Sequence, residues 1–138
     1  MHTPIKVIII LGFPARSRDF ERFGIDILKA NGFDGTFVNI GPIIFCDTYQ
    51  QVKFEEGKLS KTIGSLDEWD AYIDQLPINS WACITHAVNK RSVKAYLKLA
   101  KNGIKLFSLT TNSLPRKGSL YSSTLTYIMG EAYHRIKK

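Results

Sequence analysis

The stretch Lys6–Gly12, with the sequence KVIIILG, decides the fold of this chain. It is a continuous run of β-branched and aliphatic residues, and Phe13-Pro14 follows it directly. An apolar run of this length without alternation is typical of a strand that is covered on both faces. We therefore expect it to be the central strand of a mainly parallel sheet.

Helical and extended patterns alternate after this strand. A helix is predicted over Ser17–Ala30, with Ser17 as its N-cap, Ile27 on its apolar face and Asn31-Gly32 as its stop. Gly41-Pro42 predicts a turn or a bulge within an apolar stretch that continues to Phe45. The other predicted elements are strands over Thr36–Ile40, Trp81–Thr85 and Ile104–Leu109, helices over Ser65–Leu76, Asn89–Lys101 and from about Ser123, and a hairpin or extended excursion over Val52–Ile63.

Two of these helices have well-defined apolar stripes. Ser65 and Glu68 are spaced as a capping box, in which each side chain accepts a hydrogen bond from the other residue's backbone. The stripe that follows comprises Leu66, Trp69, Tyr72, Ile73 and Leu76, and the next helix places Val93, Tyr96, Leu97 and Ala100 inward. Both helices are expected to pack against the sheet.

Helices between apolar strands imply right-handed crossovers between parallel strands. The predicted fold class is an α/β three-layer sandwich with a mainly parallel sheet of Rossmann-like or flavodoxin-like type, and the strand order stays open. The 138 residues fit a single Rossmann-like domain over residues 1–138. The last predicted helix runs to Lys138 without a stop signal. The alternative prediction is therefore that this domain is the N-terminal part of a longer protein.

Composition and charge exclude several classes of protein. With 44% hydrophobic and 22% charged residues the chain is not disordered. Its longest apolar run, Val7–Phe13, is far shorter than the roughly 20 residues that span a bilayer, so no transmembrane segment is expected. The run also lacks a signal-peptide cleavage pattern, which predicts a cytoplasmic protein, with peripheral association with the inner membrane as an alternative.

The net charge of +7 is unevenly distributed. Residues 1–89 carry a formal charge of −3, whereas residues 90–138 carry +10. Such a bias can mark an anionic ligand or an acidic partner, and it is equally typical of a solvated lysine face. The lysines at positions 90, 94, 98 and 101 form one stripe of the predicted helix, and no aromatic residue lies within that stripe. Nucleic acid is therefore the less favoured partner.

Familiar cofactor motifs are absent from the sequence. The first strand is followed by a single glycine, Gly12, where a dinucleotide fingerprint needs three, and there is no phosphate-binding GxxxxGK[ST] loop. No cofactor is therefore expected. No His, Asp or Glu pair has metal-ligand spacing on a predicted helix, so no metal is expected either.

Ligands of open parallel sheets bind beyond the carboxyl ends of the strands, so the candidate ligand-binding residues are those that follow the strands. They are Gly12, Arg16, Ser17 and Arg18 after the first strand, Thr85, His86, Asn89 and Arg91 after the third, and Thr110, Thr111 and Asn112 after the fourth. His86 is the candidate catalytic residue, as an acid, a base or a phosphate ligand. We expect the three loops to converge on one cleft.

Each of these candidates has a structural alternative. Arg16 and Arg18 lie at a predicted helix start, where they could bind an anion. Alternatively, Ser17 only caps the helix and both arginines point to water. A lone histidine such as His86, without an obvious carboxylate partner, is more often structural. The short polar run beginning at Thr110 suits a sugar or phosphate, and equally a turn before Pro115.

Two segments carry a resemblance to a known group of proteins. These are Arg22–Phe33, with the following Asn39–Ile44, and Tyr96–Lys105, with the later Leu114-Pro115. In layout, about two thirds of the chain resembles the N-terminal Rossmann-like domain of bacterial surface-carbohydrate and polysaccharide biosynthesis proteins, including glycosyltransferase-like ones.

This resemblance implies a role in assembling capsule or O-antigen glycans. The domain would form one wall of a glycosyltransferase-like cleft for a nucleotide sugar or sugar phosphate, and a C-terminal domain would hold the donor. If the protein is an enzyme, it would be a transferase that is inactive as this domain alone. The alternative is a non-catalytic α/β adaptor that docks an acidic partner, or nucleic acid, through its basic C-terminal third.

Overall fold

The fold is an all-parallel sheet with helices on both faces. A computed structural model describes residues 4–50, 59–86 and 88–108. In chain order the elements are β1 (Ile5–Leu11), α1 (Ser17–Arg22), α2 (Ile25–Ala30), β2 (Phe33–Asn39), α3 (Gly41–Ile44), α4 (Cys46–Tyr49), β3 (Ser60–Thr62), α5 (Leu66–Asp74), β4 (Trp81–Ile84), α6 (Lys90–Lys101) and β5 (Lys105–Ser108). The predicted helix from about Ser123 lies outside the described residues.

The described strands pair in the order β3-β2-β1-β4-β5, and every pairing is parallel. β1 is central, as predicted, and its seven residues align with β2 from Ile5 opposite Phe33 to Leu11 opposite Asn39. This order is that of Rossmann-like sheets, in which the first three strands run outward to one side. A flavodoxin-like order would place β2 at the edge, where β3 lies instead.

Alternate side chains of β1 supply two separate cores. Ile8 and Ile10 pack with Trp69 of α5 and Tyr96 of α6 on one face, which we call the α5/α6 face. Ile9 and Leu11 pack on the opposite face with the residues of α1 and α2, which we call the α1/α2 face. This two-sided burial is the reason that β1 has no polar alternation.

The helix predicted over Ser17–Ala30 is in fact two short helices. Gly24 separates them with a left-handed φ of 59°, a conformation that glycine adopts without steric cost. The break changes the helical phase, so Ile25 is buried and Ile27 is 70% exposed. The prediction that Ile27 faces the core was therefore wrong.

Three further segments differ from their predictions. Gly41 and Pro42 begin the helix α3, where a turn or bulge within an extended stretch was expected. The second arm of the excursion expected over Val52–Ile63 is β3, which pairs in parallel with β2, and residues 51–58 lie outside the described part. In α6, Leu99 is fully buried, whereas Ala100 is exposed. The reason is that the buried face of α6 includes Ala95, which lies toward α5. There the Ala95 carbonyl accepts a hydrogen bond from Trp69 Nε1 at 3.0 Å.

The helix α5 begins as predicted in one half of its capping box. Ser65 Oγ accepts a hydrogen bond from the Glu68 backbone N–H at 3.2 Å. The Glu68 carboxylate accepts from Gly64 N–H at 2.9 Å, and not from Ser65. Both interactions satisfy donors at the helix start, and the buried Trp69 and Ile73 then fix the helix on the sheet.

Candidate functional site

The strand order creates a crevice between the carboxyl ends of β1 and β4. From β1 the chain moves outward to β2 and β3, and it then crosses back to β4 on the other side of β1. Such a topological switch point is where open parallel sheets bind ligands. The loops after Leu11 and Ile84 lie at this same edge, as expected, and residues 109–113 of the third predicted loop lie outside the described chain.

The first residues of both loops are used in packing. Thr85 Oγ1 donates a hydrogen bond of 2.7 Å to the Ile10 carbonyl, which joins the end of β4 to β1. Gly12 is buried, and a Cβ atom placed on it would lie 2.7 Å from Cε2 of Phe45. The missing side chain of Gly12 therefore leaves space for an aromatic ring of this chain.

The start of α1 differs from the predicted anion site. Its N-cap is Arg16, whose backbone N–H donates to the carboxylate of Asp19 at 2.8 Å, so Ser17 is the first helical residue and not the cap. Arg16, Ser17 and Arg18 are all exposed. Because Asp19 already accepts from this helix start and is itself buried, it places a carboxylate where an anion was expected.

The start of α1, with Arg16 and Arg18, and the start of α6, with Arg91, approach the carboxyl edge from opposite faces of the sheet. Ala15 and Phe20, which flank the start of α1, pack on the α1/α2 face. Ala95 and Tyr96 of α6 pack on the α5/α6 face. In the described part of the chain, neither Arg16 nor Arg18 joins the pocket residues at the start of α6.

His86 lies in the crevice as an uncharged side chain. Its Nε2 shares a hydrogen bond of 2.5 Å with the hydroxyl of Tyr96, and its ring packs beside Phe45 with centroids 6.4 Å apart. Burial lowers the pKa of His86 to about 4, because the charged imidazolium loses its hydration there. At neutral pH His86 therefore offers hydrogen bonding but no positive charge to a ligand.

The second ring nitrogen of His86 is unused. Nδ1 is buried, and among the residues that the structure describes it has no hydrogen-bond partner. If Nε2 accepts from the Tyr96 hydroxyl, Nδ1 carries the proton and can donate a hydrogen bond. If Nε2 donates to Tyr96, Nδ1 can accept one. Buried polar atoms without a partner are rare, so this atom requires an explanation.

The other predicted residues after β4 are bound within the protein. The Asn89 side chain caps α6 by accepting from the backbone N–H groups of Arg91 and Ser92 at 2.9 and 2.8 Å. The Arg91 guanidinium forms an exposed ion pair with Asp47 at 3.2 Å, and the hydrogen bond from Arg91 lowers the pKa of Asp47. Asn89 is thus a structural cap, and Arg91 is partly neutralised.

An open pocket of about 370 Å³ lies at the start of α6 on the α5/α6 face. Its described lining is Ile43, Leu66, Lys90, Arg91 and Lys94. These residues follow β2, β3 and β4, so the pocket belongs to the carboxyl edge of the sheet. We call it the cationic pocket.

Sequence reasoning found only part of this pocket. It singled out Arg91, and the spacing of four between Lys90 and Lys94 placed both lysines on one helix stripe. Ile43 and Leu66 carried no sequence signal for a site, because both read as ordinary core residues. The candidates Thr110, Thr111 and Asn112 lie outside the described residues.

Metal chemistry and membrane insertion receive no support from the described residues. Residues 4–50, 59–86 and 88–108 contain no group of three or more His, Cys, Asp or Glu side chains that could hold a metal ion. Within these same ranges, no helix has the length and apolar character needed to cross a bilayer.

The strand order, the parallel pairing and the helices on both faces define the class of this protein: a Rossmann-like α/β domain. Comparison of the chain with protein-family models, with curated proteins and with solved structures finds no match. The features that bear on its function are therefore those at the carboxyl edge of the sheet.

Proposed function

We propose that this domain binds a sugar ligand through its phosphate group in the cationic pocket, as one wall of a glycosyltransferase-like cleft in a protein of capsule or O-antigen biosynthesis. The observation that carries the proposal is the convergence of Lys90, Arg91 and Lys94 on one open pocket at the carboxyl edge. The glycan class comes from the resemblance of the sequence to polysaccharide biosynthesis proteins.

The charge of the pocket favours an anion. Among the described residues, Asp47 pairs with Arg91, and no carboxylate pairs with Lys90 or Lys94. The pocket also lies at the N-terminus of a twelve-residue helix, where the helix dipole favours negative charge. A phosphate would gain from both effects.

The size and the apolar wall of the pocket suit a small phosphorylated sugar. Ligand pockets are typically about 300–1,000 Å³, and this one is near the lower end. Ile43 and Leu66 offer an apolar surface against which the C–H face of a sugar ring can pack. A neutral oligosaccharide would leave the lysines without a counter-charge.

Catalysis by this domain alone is not part of the proposal. His86 is the candidate acid or base, and its lowered pKa makes it a poor proton donor at neutral pH. A C-terminal domain would complete the site, as the resemblance implies.

Isothermal titration calorimetry with glucose 1-phosphate, UDP-glucose and glucose tests the proposal. The variant Lys90→Ala/Lys94→Ala should weaken binding of both phosphate-bearing ligands by about tenfold or more, the loss of two charge-assisted contacts. The matched control, Lys29→Ala/Lys101→Ala, removes two exposed lysines that do not line the pocket and should change the affinity less than about twofold. Glucose itself should not bind.

The adaptor alternative predicts a different result. The exposed stripe of α6 already holds a carboxylate of this chain, since Lys98 pairs with Asp74 at 2.9 Å. If the stripe docks an acidic partner, polyglutamate should bind and glucose 1-phosphate should not, and Lys29→Ala/Lys101→Ala should also weaken polyglutamate binding, because Lys101 belongs to the stripe. Absence of binding by glucose 1-phosphate and UDP-glucose at millimolar concentration would refute the phosphate proposal.

A further inference from the structure

The crevice between β1 and β4 contains an aromatic ring in a place that packing alone does not require. Phe45 lies at the junction of α3 and α4, and it is 40% exposed although it is a large apolar side chain. Its ring lies over Gly12 and beside the imidazole of His86. We call the space over Gly12 and beside His86, which this ring now fills, the ring slot; Tyr96 holds the far side of the His86 ring through Nε2.

Two observations describe what the ring slot would accept. Gly12 has no side chain, so a flat ring can lie against the end of β1. His86 lies beside the slot, and its Nδ1 is buried without a hydrogen-bond partner in the described part of the chain, which a neighbouring phenyl ring cannot supply. The slot therefore has the shape of an aromatic ring and the hydrogen-bonding requirement of a heterocycle.

Hydrogen bonds fix the backbone of Phe45. The Phe45 N–H donates to the Gly41 carbonyl at 2.8 Å, and its carbonyl accepts from Thr48 and Tyr49 at 2.9 and 2.7 Å. These bonds hold the main chain in place. Because the side chain is already 40% exposed, rotation about its own side-chain bonds is the route by which it would leave the slot.

The ring slot and the cationic pocket are built from the same two segments. The segment after β2 supplies Ile43 to the pocket and Phe45 to the slot. The helix α6 supplies Lys90 and Lys94 to the pocket and Tyr96, which holds the His86 ring beside the slot. A ligand that carries both a ring and a phosphate group is therefore the kind of ligand that these two segments favour.

We propose that Phe45 is a placeholder in the ring slot, and that the heterocyclic base of a nucleoside diphosphate displaces it and hydrogen-bonds to His86 Nδ1. This inference rests on the proposed phosphate site and narrows its ligand to a nucleotide-bearing one. A sugar phosphate without a base would fill the cationic pocket and leave Phe45 in place.

The test compares two diphosphates that differ in the presence of a base, uridine diphosphate and inorganic pyrophosphate. Phe45→Ala removes the placeholder, so uridine diphosphate should bind about tenfold more tightly, as expected if the open slot is populated in roughly a tenth of the wild-type molecules. The affinity of Phe45→Ala for pyrophosphate should equal that of the wild type. Phe45→Leu, which retains apolar cover and protects against loss of folding, should give a smaller gain in the same direction.

Ile78→Ala is the matched control, because Ile78 is an exposed apolar residue that lies beyond α5 and outside the slot. It should change neither affinity. In ¹⁵N-histidine NMR spectra, uridine diphosphate should shift the Nδ1 resonance of His86, and pyrophosphate should not.

The outcomes separate this inference from the proposed function. If pyrophosphate binds but Phe45→Ala leaves the affinity for uridine diphosphate unchanged or weakens it, or if the His86 resonance does not move, the placeholder role is refuted and the phosphate site stands. If neither diphosphate binds the wild type or Phe45→Ala at millimolar concentration, the phosphate site itself is refuted, and the ring-slot proposal with it.

Discussion

Gly41 controls how closely the segment after β2 approaches the end of β1. A Cβ atom on Gly41 would overlap the carbonyl oxygen of Gly12 and lie 2.5 Å from Cε2 of Tyr49. The obstacle is steric, and it includes the backbone that directly follows the central strand. The position of Phe45 over Gly12 therefore depends on this second glycine.

We predict that Gly41→Ala lowers the free energy of unfolding by about 1–3 kcal/mol, since the end of β1 must shift to admit a methyl group. Urea denaturation measures this change. Gly64→Ala is the control, because a Cβ there meets only the Glu68 carboxylate at 3.8 Å. Equal unfolding midpoints for the two variants would contradict the close approach.

The second prediction concerns the pH dependence contributed by His86. Its pKa is about 4 in the folded protein and near 6.5 when unfolded, so the unfolded chain binds more protons between these values. Stability from this group is therefore complete above pH 6.5 and is lost as the pH falls toward 4. At pH 4.5 the loss is roughly 2 kcal/mol for a fully realised shift.

His86→Gln removes this titration and can keep a hydrogen bond to Tyr96. The difference in free energy of unfolding between pH 7 and pH 4.5 should be smaller in the variant than in the wild type. The paired carboxylates Asp47 and Asp74, whose pKa values are lowered, also lose stability in acid, but they do so in both proteins. Identical pH profiles would show that His86 is not buried as described.

At the scale of elements, α5 depends on one buried side chain. Trp69 is fully buried, stacks on Tyr72 with centroids 6.0 Å apart and donates from Nε1 to the Ala95 carbonyl of α6. The ring therefore joins both helices of the α5/α6 face to the sheet.

Trp69→Ala should lower the free energy of unfolding by about 3–5 kcal/mol, because it opens a large cavity and leaves the Ala95 carbonyl without its donor. Thermal unfolding by circular dichroism measures the effect, with Ile78→Ala as the exposed control. A melting temperature that falls no further than that of the control would contradict the packing.

The elements that could be predicted from the sequence are those whose apolar pattern is strong. The run Lys6–Gly12 matches β1 to within one residue, and the stripe of α5 contains the buried Trp69 and Ile73. β3 could not be found in the same way, because Ser60–Thr62 is a short edge strand with little apolar surface. The break between α1 and α2 depends on a left-handed Gly24, which spacing alone does not distinguish from a helical glycine.

The candidate site was predictable in position and less so in detail. Parallel strands put the residues after Leu11 and Ile84 at one edge, and the structure confirms that. The pairing of Arg91 with Asp47 joins residues 44 positions apart, and the cover of Phe45 over Gly12 joins residues from different segments. Neither contact follows from local pattern, because both depend on the path of the chain after β2.

For the whole molecule, the strand order predicts a gradient of local stability. β1 is paired on both sides and buried on both faces, whereas β3 is a three-residue edge strand. Amide hydrogens of Ile8–Ile10 should exchange only through global unfolding, and those of Ser60–Thr62 through local opening that is orders of magnitude more frequent. Hydrogen exchange followed by NMR and normalised to intrinsic rates tests this, and equal protection of the two strands would contradict it.

The central position of β1 also bears on how the chain emerges from the ribosome. β1 precedes both of its neighbours along the chain, and β4, one of the two, begins only at Trp81. The hydrogen bond between Thr85 and Ile10 spans 75 positions of sequence. Until β4 emerges, a nascent β1 has an open edge of unpaired N–H and C=O groups along its most apolar residues, which is the kind of edge that pairs with other chains. The residues that make the most buried strand of the folded protein are thus the ones most in need of protection while the chain is still growing.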